Sequence, residues 1–268
     1  MAAAEPAGAE RPPDVAAFLR RFTHFGAAAS VESYVVLFHR QATLFDDGME
    51  RPLTAAEIPA HIAEVLAVAP GFAMTPERWR ARGAQLFVEA RNCAAPGGVP
   101  VAWHAVYRID LDGDLVRRGR RYFDRMALLA PLMPDATPFA FALAPAGDAG
   151  ARLVEQPARD AAAFVAACAA AWAAGRPEAV AALYRADGAL ETAATPALDR
   201  AGIAAYYRRV APLALVPRAW AGDAQLLFIE WEGRAGFACV ERVDLVDGLA
   251  SAGRVYCDRG ALQHALEA

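Results

Sequence analysis

Apolar positions in the first quarter of the chain fall at helical spacing. Val15, Phe18, Leu19 and Phe22, behind Asp14 as an N-cap, predict a helix over about 14–23. Val31, Tyr34, Val35 and Phe38 predict a second helix over 31–38, and Ala42 to Asp46 a short strand closed by Asp47-Gly48. Thr54 followed by Glu57 resembles a capping box and opens a helix over about 55–68, with Pro59 in its tolerant early turns. From Arg78 the period changes to two. Strands are expected from Trp79 onward, over 84–91, 101–111 and 115–123, with turns at Pro96-Gly97-Gly98 and Asp112-Gly113-Asp114. Helices first and antiparallel strands after make an α+β layout rather than an alternating one.

The pattern then repeats. Gly119-Arg120-Arg121-Tyr122-Phe123-Asp124-Arg125-Met126-Ala127-Leu128 returns 134 residues later as Gly253-Arg254-Val255-Tyr256-Cys257-Asp258-Arg259-Gly260-Ala261-Leu262, with seven of ten positions identical. Residues 18–38 lie without a gap on 164–184, and helices are expected near 160–174, 178–184 and 200–210, then strands over 219–256. Self-similarity of this period means one fold used twice. The expected organisation is a disordered tail over 1–13, a first domain over 14–130, a Pro/Ala/Gly-rich linker over 131–159 and a second domain over 160–268. Within the linker, Phe139 and Phe141 are placed to pack back onto a domain face.

Composition narrows the function classes. Of 268 residues, 31 are acidic and 27 basic, for a net charge of −4, which leaves no general footprint for nucleic acid. The cluster Arg117, Arg118, Arg120 and Arg121 is local, splits between two strand faces and reads as solvated. The longest uncharged apolar run, 161–174, is shorter than the roughly 20 residues a membrane span needs. The first residues lack an apolar signal core. Cys93, Cys168, Cys239 and Cys257 show neither CxxC pairing nor histidines at metal spacing, so no metal site is expected and a reducing cytoplasm is.

The segment Leu37-Phe38-His39-Arg40-Gln41-Ala42-Thr43-Leu44-Phe45-Asp46 and the closing Tyr122-Phe123-Asp124-Arg125-Met126-Ala127-Leu128-Leu129 resemble the nuclear transport factor 2-like superfamily. That group includes SnoaL-like polyketide cyclases, ketosteroid isomerases, scytalone dehydratase and limonene epoxide hydrolase. The resemblance covers both halves. It implies two tandem cone-shaped α+β barrel domains, each with helices wrapped by a curved antiparallel sheet around one pocket. It also implies packing through the outer sheet faces, as an intramolecular pseudo-dimer or a homodimer. The function it implies is cofactor-independent acid/base chemistry on an apolar polyketide- or terpene-like molecule: cyclase, isomerase, dehydratase or epoxide hydrolase. A non-catalytic holder of a lipophilic ligand is the alternative.

Residue by residue, the resemblance places the isomerase general base at Asp46. A carboxylate at the mouth of an apolar cone, lacking a cation, should titrate above its ordinary value. Asp46 also reads as the start of an Asx turn with Asp47-Gly48. The isomerase's tyrosine donor is replaced by Phe22 and its acidic donor falls beside Ala105, where His104 is the polar neighbour that substitutes if it faces inward. His104 among Val101, Trp103 and Val106 reads equally as a half-buried structural histidine. Asp124 recurs as Asp258, which suits a helix cap, while the cyclase resemblance gives it an acid/base role. Candidate substrate contacts are Phe22, Tyr34, His61, Trp79, Trp103 and Tyr122, of which Trp79, Trp103 and Tyr122 read equally as ordinary core and His61 as a surface residue. In the second half Thr192, Cys168 and Ala238 stand at the positions of Asp46, Phe22 and His104, so the first half is expected to carry the activity.

Overall fold

The computed structural model describes residues 11–46, 49–133, 143 and 154–268. The expected turn at Asp47-Gly48, the contacts of Phe139 and Phe141, and the tail before Arg11 lie outside the described residues. Among the described residues, no helix is long and apolar enough to cross a membrane.

The first half opens with α1 (Val15–Ala27), held at its start by Asp14, whose Oδ1 accepts from the Ala17 amide at 2.9 Å. Phe18, Phe22 and Phe25 recur on one face and are buried, so this stripe docks the helix on the sheet. Gly26 is required where α1 crosses the sheet. A Cβ there would lie 2.1 Å from the Met74 carbonyl oxygen. Then follow α2 (Val31–Val35), β1 (Phe38–Asp46), β2 (Leu53–Thr54) and α3 (Ile58–Val68). The second helix is shorter than its apolar spacing predicts, because Phe38 already pairs with Val116 as a strand residue. Thr54 and Glu57 do bond one another, through the Thr54 amide at 2.8 Å and hydroxyl at 2.7 Å, but the α-helix itself starts one residue after Glu57.

Strands β3 (Ala73–Arg82), β4 (Gln85–Ala94), β5 (Val101–Asp112) and β6 (Leu115–Tyr122) complete a six-stranded sheet in the order β2-β1-β6-β5-β4-β3. A short helix, α4 (Arg125–Leu129), closes the half. Most neighbours are antiparallel, but β1 runs parallel to β6 and sets Asp46 opposite Arg121. The helices cover one face of the sheet over a core that includes Phe18, Leu37, Ile58, Leu86, Val88 and Ala105.

The second half repeats the order. It has α5 (Ala161–Ala173), a 3-10 turn over Pro177–Leu183, β7 (Tyr184–Thr192), α6 (Arg200–Val210), β8 (Val216–Gly222), β9 (Leu226–Glu232), β10 (Ala238–Val246), β11 (Leu249–Tyr256) and α7 (Arg259–Glu267). Its sheet runs β7-β11-β10-β9-β8, again with one parallel pair, β11 with β7. The chain is therefore α+β, with a helix-filled curved sheet in each half. The C-terminal helix α7 has no counterpart among the elements the pattern predicts, and 177–183 is a 3-10 turn where the spacing predicts an α-helix.

The outer faces of the two sheets meet over a third apolar cluster that includes Phe87, Val106, Tyr122, Phe228, Val240 and Tyr256. Phe87 stacks on Phe228 at 5.9 Å between centroids. The polar contacts here are reciprocal. Tyr122 donates to Glu230 and Tyr256 to Glu89. Arg108 lies 3.4 Å from Glu230 and Arg242 3.4 Å from Glu89. Glu89 sits opposite Val106 and Glu230 opposite Val240, equivalent registers in the two sheets. Each buried carboxylate thus receives a hydroxyl and a guanidinium from the other half, which meets the demand that a buried charge be paired.

Candidate functional site

The inner face of β1 ends on Asp46, which is 6% exposed. Because β6 runs alongside in parallel, Arg121 reaches across and its Nη2 donates to Asp46 Oδ2 at 2.5 Å. From α3, His61 brings Nε2 to 3.6 Å from the same oxygen, an approach longer than a hydrogen bond. Among the described residues, the other carboxylate oxygen, Asp46 Oδ1, is buried with no hydrogen-bond partner, as are His61 Nε2 and Arg121 Nε.

These three side chains stand at one wall of a cavity of about 320 Å³. Phe72, Trp103 and Phe123 form its aromatic side, and Val65, Val68, Leu128 and Leu129 much of the remainder. Phe72 and Trp103 lie 6.2 Å apart and Trp103 and Phe123 6.3 Å, while the Arg121 guanidinium sits 4.9 Å above the Phe123 ring. Volume and lining suit a small organic ligand with one polar end.

Electrostatics set the state of the carboxylate. Burial pushes the Asp46 carboxyl up, but the Arg121 guanidinium and then His61 pull it back below its ordinary value. This corrects the sequence expectation of an uncompensated carboxylate with a raised pKa. Arg121, taken from sequence as a solvated member of a cluster, is the cation that decides the matter. Behind the pair, Tyr107 donates to Asn92 Oδ1 at 3.0 Å, and burial pushes its phenol up to about 12.

The remaining candidates disperse. His61 and Trp103 line the cavity. Phe22 and Tyr34 lie behind it instead, on a void of about 20 Å³ that Arg121 also borders, and Phe22 packs edge-on against Tyr107 at 5.1 Å. His104 alternates with Trp103 and Ala105 and so falls on the opposite sheet face, where its Nε2 lies 3.4 Å from Glu77. It cannot donate into the cavity. Tyr122 is also an outer-face residue, engaged with Glu230. Trp79 stands on edge strand β3, 43% exposed, away from the cavity lining. Asp124 caps α4, accepting from the Met126 amide at 3.2 Å, and its other oxygen takes Arg259 Nε at 2.6 Å. It faces the second half, not the cavity.

In the second half the register puts Thr192 opposite Val255, where the first has Asp46 opposite Arg121. Its interior carries a different acid. Glu241, 2% exposed, accepts from Tyr184 at 2.9 Å, Tyr207 at 2.7 Å and Trp231 Nε1 at 3.2 Å. Burial raises this carboxyl above its ordinary value despite the three donors.

No family model matches the sequence, and no curated protein does. Solved structures do. A ketosteroid isomerase-like fold protein from Catenulispora acidiphila, crystallised with trimethylamine, is 17% identical over 45% of this chain and 97% of its own, with a TM-score of 0.40. A protein from Jannaschia sp. CCS1 assigned as a SnoaL-like polyketide cyclase is 16% identical over 49% of this chain and all of its own, at 0.40. An LEH-like epoxide hydrolase from M. tuberculosis is 16% identical over 44% and 94%, at 0.36. Each match is about half a chain long. At such identities the likeness concerns fold and assigns no activity here.

Proposed function

We propose that the first half is a cofactor-independent acid/base enzyme for an apolar, polyketide- or terpene-like small molecule, of the cyclase, isomerase, dehydratase or epoxide hydrolase type. The observation that carries this reading is Asp46 Oδ1, a buried acceptor with no partner among the described residues, at the wall of an apolar cavity. Leaving such an atom unpaired costs roughly 1–3 kcal/mol, so the fold tolerates it where a ligand or water completes the bond.

The roles follow from charge. Arg121 keeps Asp46 ionised, and an ionised carboxylate accepts a hydrogen bond or a proton from the ligand. His61, 3.6 Å from Asp46, is placed to take that proton onward or return it, since imidazole can both accept and donate a proton. Arg121 supplies fixed positive charge beside any oxygen that becomes negative on the ligand. The aromatic wall holds the apolar body. Glu64 and Arg125 also line the cavity and add charge away from the aromatic wall.

A second reading, a non-catalytic holder of a lipophilic ligand, draws on one observation. The same Arg121 that keeps Asp46 charged also makes it a weaker base than an isolated buried carboxylate. A panel of apolar epoxides, enones and linear polyketones, screened with the wild-type chain and with His61→Gln, tests the enzyme reading. Turnover of at least one class, lowered about 10²-fold or more in the variant, is the expected result. Binding without turnover across the panel sinks it.

A further inference from the structure

One wall of the cavity is held in place from the second half. That wall includes Arg125, Leu128 and Leu129 of α4, a helix of only five residues. So short a helix has little stability of its own and depends on what holds its ends. Asp124 caps it, as described. The other hold comes from across the interface. Asp258, 2% exposed at the start of α7, accepts from the Arg125 backbone amide at 3.1 Å, from Nε at 2.9 Å and from Nη2 at 3.1 Å. That is a two-pronged guanidinium–carboxylate contact with a backbone bond added, the geometrically specific kind. The same carboxylate caps α7 through the Ala261 amide at 2.9 Å.

The mirror contact is Arg259 on Asp124, at 2.6 Å through Nε. The mirror clamp has the same pairing of groups but one side-chain bond where the first has two. The two also differ in what they border, because Arg125 lines the Asp46 cavity and Arg259 does not. We propose that Asp258, supplied by the second half, is a positioning residue for the first-half cavity: by clamping Arg125 it fixes α4 as the cavity wall and so sets ligand affinity. This rests on the reading of that cavity as the ligand site. It gives the second half, which has Thr192 and Val255 in place of the Asp46–Arg121 pair, a definite task in the function of the first.

The test titrates N-phenyl-1-naphthylamine, a neutral apolar dye, into the full chain, four single variants and the Asp258→Asn/Arg125→Gln double variant. Val68→Trp, at the half-exposed mouth, locates the dye. Asp258→Asn keeps the α7 cap, because asparagine caps as well as aspartate, but turns an amide toward the guanidinium. Arg125→Gln removes the clamp from the other side. Arg259→Gln removes the mirror clamp at a similar cost to the interface. The expectation is dye binding weakened by Val68→Trp, weakened about fivefold to tenfold by Asp258→Asn and by Arg125→Gln without addition in the double variant, and weakened clearly less by Arg259→Gln, which touches α4 only through the Asp124 cap. No dye binding by the wild type, or binding indifferent to Val68→Trp, overturns the cavity reading itself. Binding sensitive to Val68→Trp but indifferent to Asp258→Asn overturns the positioning role alone. Equal weakening by Arg259→Gln also overturns that role, since the effect would be a general loosening between the halves.

Discussion

Replacing Arg121 by glutamine removes the cation from a buried ion pair and leaves Asp46 behind. The pair is a single 2.5 Å contact between side chains 15% and 9% exposed, so solvent screens it little. Breaking a buried pair from one side costs about 3–5 kcal/mol, because the orphaned charge stays buried. For a chain of this size that is a fall in melting temperature of roughly 6–20 °C at neutral pH. The penalty depends on pH, and its sign follows from linkage. In the wild type the folded Asp46 titrates below its ordinary value, so its contribution to stability is present above the unfolded pKa and is lost as pH falls through the folded one. Without Arg121, burial is left as the largest influence and the folded pKa rises above the unfolded value. The contribution then changes sign: stability is best below the unfolded pKa and falls as pH rises through the folded one. Melting curves of Arg121→Gln between pH 4 and 8 should therefore show the deficit growing with pH, and Asp46→Asn/Arg121→Gln should recover most of it. A deficit that is the same at pH 4.5 and 7.5, with no recovery in the double variant, would refute the claim that the ion pair sets the state of Asp46.

Other outcomes follow from the same physics. Glu241→Gln should leave stability nearly unchanged at pH 4 and raise it relative to wild type toward pH 8, since a carboxyl with a raised folded pKa loses stability as pH rises through that value; thermal melts at the two pH values check this. Glu241→Leu should be worse than Glu241→Gln at every pH, because it strands the donors of Tyr184, Tyr207 and Trp231. Tyr122→Phe and Tyr256→Phe should each cost about 1–3 kcal/mol in denaturant melts by depriving a buried glutamate of the other half of its donor. At the repeated glycines, Gly253→Ala should destabilise more than Gly119→Ala, since its Cβ would lie 2.4 Å from the Tyr184 hydroxyl, against 3.2 Å from the tip of Leu44.

Most of the fold could be read from local pattern. The phenylalanine stripe of α1, the Asp14 cap and the helix over 200–210 all follow from contacts within a few residues, and the repeated Gly-Arg-x-Tyr-x-Asp-Arg stretch predicted one fold used twice. The site was half legible. Asp46, His61 and Trp103 were among the candidates, but Arg121 was not assigned a role. Its pairing with Asp46 spans 75 residues and depends on the parallel register of β1 and β6, which no local period encodes. Alternation held the signal for the rest. Given that Trp103 faces in, His104 must face out, and given that Arg121 and Phe123 face in, Tyr122 must face out. The bulges between Thr43 and Phe38, Pro76 and Arg78, and Asp110 and Leu111 break that counting along longer stretches. Glu241 gave no sequence signal, because its donors arrive from β7, α6 and β9.

Whether Asp46 handles a proton or merely lines a binding pocket decides the proposed function. The most direct measurement is turnover and dye affinity determined side by side for Asp46→Asn, which keeps the size of the side chain and removes its capacity as a base. The account predicts dye affinity within about twofold of wild type and turnover lowered by about 10²–10⁴-fold, the usual worth of a positioned proton acceptor. Undiminished turnover in Asp46→Asn, with the dye still bound, would contradict it.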